Sequence, residues 1–181
     1  IMKYYFNNYL SELYLNFKTV STLDLENISE LIKKTHENKK KIIIAGNGGS
    51  AAMASHVTVD FTKAAGIRAV NFNEADLLTC FANDYGYENW VAKALEFYAD
   101  EGDLAILISS SGQSPNMLNG AKQAKVMQLP LVTLSGFRAD NPLRTLGDVN
   151  LWTDSTAYNI VEMTHHVWLL AIIDYLIEQG S

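Results

Sequence analysis

The sequence predicts an α/β fold: a doubly wound, five-stranded parallel sheet in the order 2-1-3-4-5, flanked by helices and preceded by extra N-terminal helices. Three observations carry this expectation. Short apolar runs of strand length alternate with helical patterns along most of the chain, and such alternation makes a parallel sheet with right-handed crossovers. Two of these runs end in Gly- and Ser-rich turns that open directly into helices. In the order 2-1-3-4-5 those two strands are neighbours, so both turns line one crevice at the carboxyl edge of the sheet, where the strand order reverses.

The 181 residues fit one domain, and a hydrophobic content of 48% is ordinary for a globular chain. The net charge of -6 argues against a nucleic acid or an anionic membrane as partner. Any phosphate bound here must be held by local N–H groups and hydroxyls rather than by a basic field. Cys80 is the single cysteine, which excludes an internal disulfide framework and fits a reducing compartment. No apolar stretch reads as long enough to span a bilayer and no secretory segment opens the chain, so the expected location is the cytoplasm. Ile1 ahead of Met2 and the closing Gly180-Ser181 read as additions to the chain.

The domain divides into N-terminal helices over about 3–36, an α/β core over about 40–154 and a long C-terminal helix over about 157–178. Residues 3–19 read as an aromatic-rich helix whose apolar positions, among them Tyr5, Leu10 and Phe17, spread over more than one face. Such a helix wants a partner beyond its own domain. Asp24 is the expected cap of a second helix that carries Leu25, Ile28, Leu31 and Ile32 to about Thr35. Lys39-Lys40-Lys41 reads as a solvated turn and His36 as a surface residue.

Strands are expected at 42–44, 103–108 and 130–134, from apolar or β-branched runs of strand length, at 67–72, which alternates loosely, and more weakly at 149–152. Helices are expected at 51–61, 75–81, 90–98, 115–127 and 142–146, with a polar and aromatic turn at 83–87. The last helix carries apolar residues nearly all round, including Val161, Leu169, Leu170, Ile172, Ile173 and Leu176, so some of its burial is expected to come from another subunit.

Two turns carry the chemistry. Gly46-Asn47-Gly48-Gly49-Ser50 joins the first strand to a helix, the arrangement that lets backbone amides approach a ligand closely. Its spacing is neither GxGxxG nor GxxxxGKS and it lacks the P-loop lysine, so no nucleotide cofactor is expected. Ser109-Ser110-Ser111-Gly112-Gln113-Ser114 lies between the third strand and a helix opened by Pro115. Hydroxyls and free N–H groups collect there at a positive dipole end, a place for an anion. Taken singly, the glycine turn reads equally as a tight left-handed turn without a ligand, and the serine stretch favours an anion only modestly over an ordinary Ser-rich N-cap.

The combination resembles the sugar-isomerase (SIS) domain family, and within it the phosphoheptose isomerases. The resemblance rests on Ala45-Gly46-Asn47-Gly48-Gly49-Ser50-Ala51-Ala52, on His56 seven residues past Gly49, on Ala82-Asn83-Asp84-Tyr85-Gly86 and on Ile108 through Ser114. Gly102-Asp103 and Leu134-Ser135-Gly136 are also similar to that family. It implies a phosphorylated sugar as ligand, its phosphate held by Ser109, Ser110, Ser111 and Ser114. Asn47, Gly48, Gly49 and Ser50 would contact the sugar, and Asn83 and Asp84 would reach its hydroxyls. It further implies a homotetramer with sites between subunits, and a role in carbohydrate metabolism feeding heptose or lipopolysaccharide synthesis.

The implied reaction is aldose–ketose isomerisation of sedoheptulose 7-phosphate through an enediolate, which needs a positioned base and a group that shuttles protons between oxygens. In the family a Glu after the glycine turn and a His on the last helix do this, and with an earlier His and a Gln they can hold zinc. Here the Glu position is Asp60, four residues after His56. The Gln position is Val161, and Leu169 stands where the later His would fall. The last helix instead offers Glu162 as base with His166 (or His165) as acid, while Asp60 and His56 serve as proton-shuttling partners. His56, Asp60 and His166 form the candidate zinc set. Glu162 and His166 share a helix face, as do His56 and Asp60. Three polar groups on an apolar helix are costly unless used, and the alternative is that they are hydrogen-bonded at a subunit interface. Two rivals accompany the isomerase: a non-catalytic SIS module that senses a sugar phosphate or bridges proteins, and an isomerase acting on another ketose or amino-sugar phosphate.

Overall fold

The computed structural model describes residues 2–180; Ile1 and Ser181, read above as additions, lie outside them. Two helices, α1 (Met2–Phe17) and α2 (Thr22–Glu37), precede β1 (Ile42–Gly46), α3 (Gly49–Lys63), β2 (Ala69–Asn71), α4 (Ala75–Tyr85) and α5 (Trp90–Tyr98). They are followed by β3 (Leu104–Ser109), α6 (Pro115–Val126), β4 (Leu131–Ser135), a 3-10 turn at Pro142–Thr145, β5 (Val149–Trp152) and α7 (Tyr158–Glu178). The five strands form one sheet in the order β2-β1-β3-β4-β5, and every pairing is parallel. This is the expected topology.

The middle of the sheet is covered on both faces, which is why β1 and β3 are nearly continuous apolar runs rather than alternating. On one face Ile42, Ile44, Ile106 and Ile108 pack with Ile28, Met53, Phe61, Trp168 and Leu169 of α2, α3 and α7. On the other, Ile43, Ala105 and Leu107 pack with Trp90, Leu95, Met117 and Ala121 of α5 and α6. The central strands β1 and β3 are buried along their whole length.

Several boundaries differ from expectation. Ser21, not Asp24, caps α2: its Oγ accepts the Asp24 N–H at 3.4 Å, and Asp24 sits in the first turn, where a carboxylate favours the helix dipole. Residues 83–85 continue α4 instead of forming a turn, and the helix ends at Gly86. Asn83 and Asp84 satisfy each other through an amide–carboxylate bond of 2.9 Å, which leaves the backbone free to stay helical. Edge strand β2 keeps only three residues.

Helix α7 corrects the reading that no stretch could span a bilayer, because its 21 residues and hydropathy of 1.4 are sufficient by length and composition. Half of that window is buried inside the fold, as in a core helix. Apolar residues on nearly every side follow from its packing between α1, α2 and α3.

At the opposite edge from the two turns, Asp103 is fully buried. Its carboxylate accepts the Lys41 N–H at 2.9 Å and the Asp100 N–H at 2.8 Å, and it pairs with the Lys41 ammonium. Removing one member of a buried, hydrogen-bonded ion pair strands the other. Asp103→Ala is therefore expected to lower the unfolding free energy by about 3 kcal/mol in denaturant titrations, with Lys41→Met milder because its ammonium is partly solvated.

Candidate active site

Parallel pairing of β1 with β3 runs from Ile42–Leu104 to Gly46–Ile108, so both chains leave the sheet side by side. Between their exits lies a cavity of about 180 Å3 lined by Asn47, Ser50, Ile108, Ser109, Ser110, Ser111, Ser114, Tyr158 and Glu162. Six of the ten substrate-binding residues expected from sequence share this lining, together with the expected base. None of the lining residues is a lysine or arginine.

The serine loop is held from below and from the side. The Ser109 and Ser114 hydroxyls are 3.0 Å apart, and the Ser111 Oγ accepts the Gln113 N–H at 3.2 Å. Ser114 is the N-cap of α6 without a side-chain capping bond, and Pro115 follows it, so the first N–H groups of that helix face the loop. Gly112 has φ 65°, and a Cβ there would collide with the Asn141 amide. Asn141 is itself buried and donates to Gly136 O and Arg138 O.

The glycine turn is tied to the serine side by a reciprocal amide pair. Asn47 Nδ2 donates to Asn116 Oδ1 at 2.9 Å, and Asn116 Nδ2 donates to Asn47 Oδ1 at 2.8 Å. The Tyr87 hydroxyl donates to the same Asn47 oxygen at 3.1 Å. The Asn47 side chain is thus largely spent on scaffolding. Sequence reasoning missed Asn116 and Tyr87; a polar residue directly after the Pro115 that opens α6 was the available signal.

Glu162 reaches the cavity from α7, and its carboxylate occupies the space where a Cβ on Gly49 would sit. Only glycine permits that approach. The carboxylate therefore stands at the first residue of α3, against its positive end, while burial pushes its pKa up from the usual range.

One turn further along α7, His166 Nε2 lies 2.8 Å from His56 Nδ1, and His56 Nε2 lies 3.2 Å from Asp60 Oδ2. With both imidazoles neutral, each ring donates toward Asp60, and Nδ1 of His166 is the terminal nitrogen of the chain. Burial, and the neighbouring His56, hold the His166 pKa below its ordinary value against the opposing pull of Asp60. The structure brings the three candidate zinc ligands together but does not aim them at one point. A metal takes one nitrogen from each imidazole with all donors converging on it, whereas both His56 nitrogens are engaged on opposite sides. Among the described residues no group of three or more His, Cys, Asp or Glu is arranged to hold a metal. The positions that would complete a set, Val161 and Leu169, are buried apolar residues. The donor set does not fit zinc.

The remaining candidates lie elsewhere. Gly48 and Gly49 are exposed at the head of α3. Asn83 and Asp84 are exposed on the last turn of α4 and do not line the cavity. His165 is fully buried, with Nε2 2.9 Å from Ser135 O; it faces the core beside Trp168 and takes no part in the lining. A rotation of about 100° per residue separates its direction from that of His166.

The SIS domain family model matches residues 5–136. The phosphoheptose isomerase of Helicobacter pylori is 33% identical over 181 residues, covering 93% of this chain and 94% of its own. That of Fusobacterium nucleatum is 32% identical over 156 residues, 83% of this chain and 80% of its own. The structure is similar to that of phosphoheptose isomerase from Neisseria gonorrhoeae, with a TM-score of 0.87, 24% identity and 97% of each chain covered.

Burial drops the His165 pKa from 6.5 to about 4, so between these values the unfolded chain binds the proton and the folded one does not. Stability is then fully present above pH 6.5 and falls as the pH drops toward 4. Between pH 7 and pH 5 the loss from this residue is on the order of 2 kcal/mol. His165→Gln should remove that part of the pH dependence, measured by denaturant titration of both proteins at each pH.

Proposed function

We propose, from the premise that this chain belongs to the SIS domain family and groups with its phosphoheptose isomerases, that it interconverts sedoheptulose 7-phosphate and D-glycero-D-manno-heptose 7-phosphate. The observation that carries this reading is the meeting of Glu162 with the serine loop in one cavity. Serine hydroxyls and the N–H groups that open α6 can satisfy phosphate oxygens without a lysine or arginine. A carboxylate in the same cavity, made more basic by burial, is the group that proton abstraction from carbon requires.

In this mechanism Glu162 takes a proton from C1 of the ketose, and the electron pair of that C–H bond enters the enediolate across C1 and C2. The proton on the O1 hydroxyl passes to Nδ1 of His166 and from there to O2, with His56 and Asp60 holding the imidazole in the tautomer whose Nδ1 is free to accept it. Glu162 then returns its proton to C2, the C1–O1 carbonyl forms, and the aldose results. Asp60, at 3.2 Å from His56 Nε2, orients the chain.

The exposed apolar side chains of α1, among them Tyr4, Phe6, Leu10 and Leu15, support a homotetramer with sites near subunit contacts. The free Cys80 supports a reducing, cytoplasmic setting. A second reading, a non-catalytic sugar-phosphate-binding module, is favoured by one observation: the apolar Leu169 where the resemblance puts a His.

Incubation with sedoheptulose 7-phosphate in deuterated water should place deuterium at C2 of a new aldose, followed by NMR. Glu162→Gln should cut turnover by a factor of about 100 or more while leaving sugar-phosphate affinity intact. Binding without exchange in the wild-type protein would favour the non-catalytic module. Ser111→Ala is expected to weaken sugar-phosphate binding by about 2 kcal/mol, the worth of a hydrogen bond to a charged group; unchanged affinity by calorimetry overturns the phosphate assignment.

A further inference from the structure

Tyr158 lines the same cavity as Ser109, Ser110, Ser111, Ser114 and Glu162, and has no part in the proton transfers. It lies one helical turn before Glu162 on α7, on the same face, and 58% of its surface is exposed. Its ring is held edge-on by Phe137, with centroids 4.9 Å apart and planes at 68°. Phe137 adopts φ 56°, the left-handed region in which a bulky side chain is strained. That conformation is kept by the Phe137 N–H bond to Ser155 O at 2.9 Å, while the preceding Gly136 N–H bonds Ser110 O at 2.9 Å. The strained residue is therefore joined through one peptide to the serine loop and through its ring to Tyr158. Strain of this kind persists where surrounding structure holds it and clusters at ligand sites.

The rest of the lining is polar apart from Ile108, which is fully buried. A sugar phosphate has, beyond its phosphate and hydroxyls, a carbon chain whose C–H bonds need an apolar neighbour. Aromatic faces carry the partial negative charge that suits C–H groups.

We propose that Tyr158, braced by Phe137, is the wall against which the carbon chain of the sugar phosphate lies, and so a specificity-determining residue that tells a sugar phosphate from phosphate itself. This rests on the serine loop holding the phosphate, as argued above. The contact is made by the ring and not by the hydroxyl.

Calorimetry with inorganic phosphate and with sedoheptulose 7-phosphate, on the wild-type protein and on Tyr158→Ala and Tyr158→Phe, tests the idea. Tyr158→Ala should weaken the sugar phosphate about tenfold and leave inorganic phosphate within about twofold. Tyr158→Phe should bind both as the wild type does, and in turnover assays the Ala variant should raise KM with kcat retained. Equal losses for both ligands, no loss in the Ala variant, or a Phe variant as weak as the Ala variant would each overturn the wall. Wild-type protein that binds the sugar phosphate but shows no competition from inorganic phosphate would instead overturn the serine-loop assignment, and the wall with it.

Discussion

Parallel pairing of β1 with β3 is the constraint on which the rest depends. Two parallel neighbours leave a sheet at the same edge, and because β2 lies on one side of β1 and β4 on the far side of β3, their helices cross to opposite faces. The gap this opens cannot be filled by either helix. The glycine turn and the serine loop face each other across it, and the Asn47–Asn116 amide pair fixes how far apart they stand. A backbone topology settled by hydrophobic burial thereby determines the width of a polar cavity.

Helix α7 supplies what the sheet edge lacks. Its buried side packs with the core, while Tyr158, Glu162 and His166, each one turn from the next, follow a second line down the helix. Gly49 and His56 receive the last two of these. The helix spans about 12 Å between Tyr158 and His166 at 1.5 Å per residue. An aromatic ring, a carboxylate and an imidazole chain are so presented in sequence from the serine loop outward.

Much of this is legible in the sequence. Short β-branched runs alternating with helical patterns point to a parallel sheet, since burial on both faces writes itself into composition, and the two Gly- and Ser-rich turns fit the order 2-1-3-4-5 because it sets them in one crevice. The i,i+4 spacings of His56 with Asp60 and of Glu162 with His166 correctly placed each pair on one helical face. What was not legible depends on contacts between segments distant in the chain. Nothing local to Gly49 or Glu162 says that they touch across 113 positions. The choice between His165 and His166 needed the direction of the helix relative to the core, which a helix apolar on nearly every side conceals. Residues 83–85 read as a turn because Asn and Asp favour turns, yet here those side chains bond each other and the helix continues. Asp24 and Ser21 are both good caps by residue type, and only the folded geometry shows that the Ser21 hydroxyl is the one that meets the Asp24 N–H.

Under the proposed function the cavity takes its anion on neutral donors, in a chain whose net charge is -6. The two facts pull in opposite directions as ionic strength rises. Hydrogen-bond donors in contact with a phosphate act over distances far shorter than the Debye length of about 8 Å at physiological salt and are little screened. The repulsion between an acidic protein and an approaching dianion acts over longer distances and is damped. Adding salt should therefore speed the arrival of a phosphorylated ligand without loosening it once seated, the reverse of what a lysine- or arginine-lined phosphate site does.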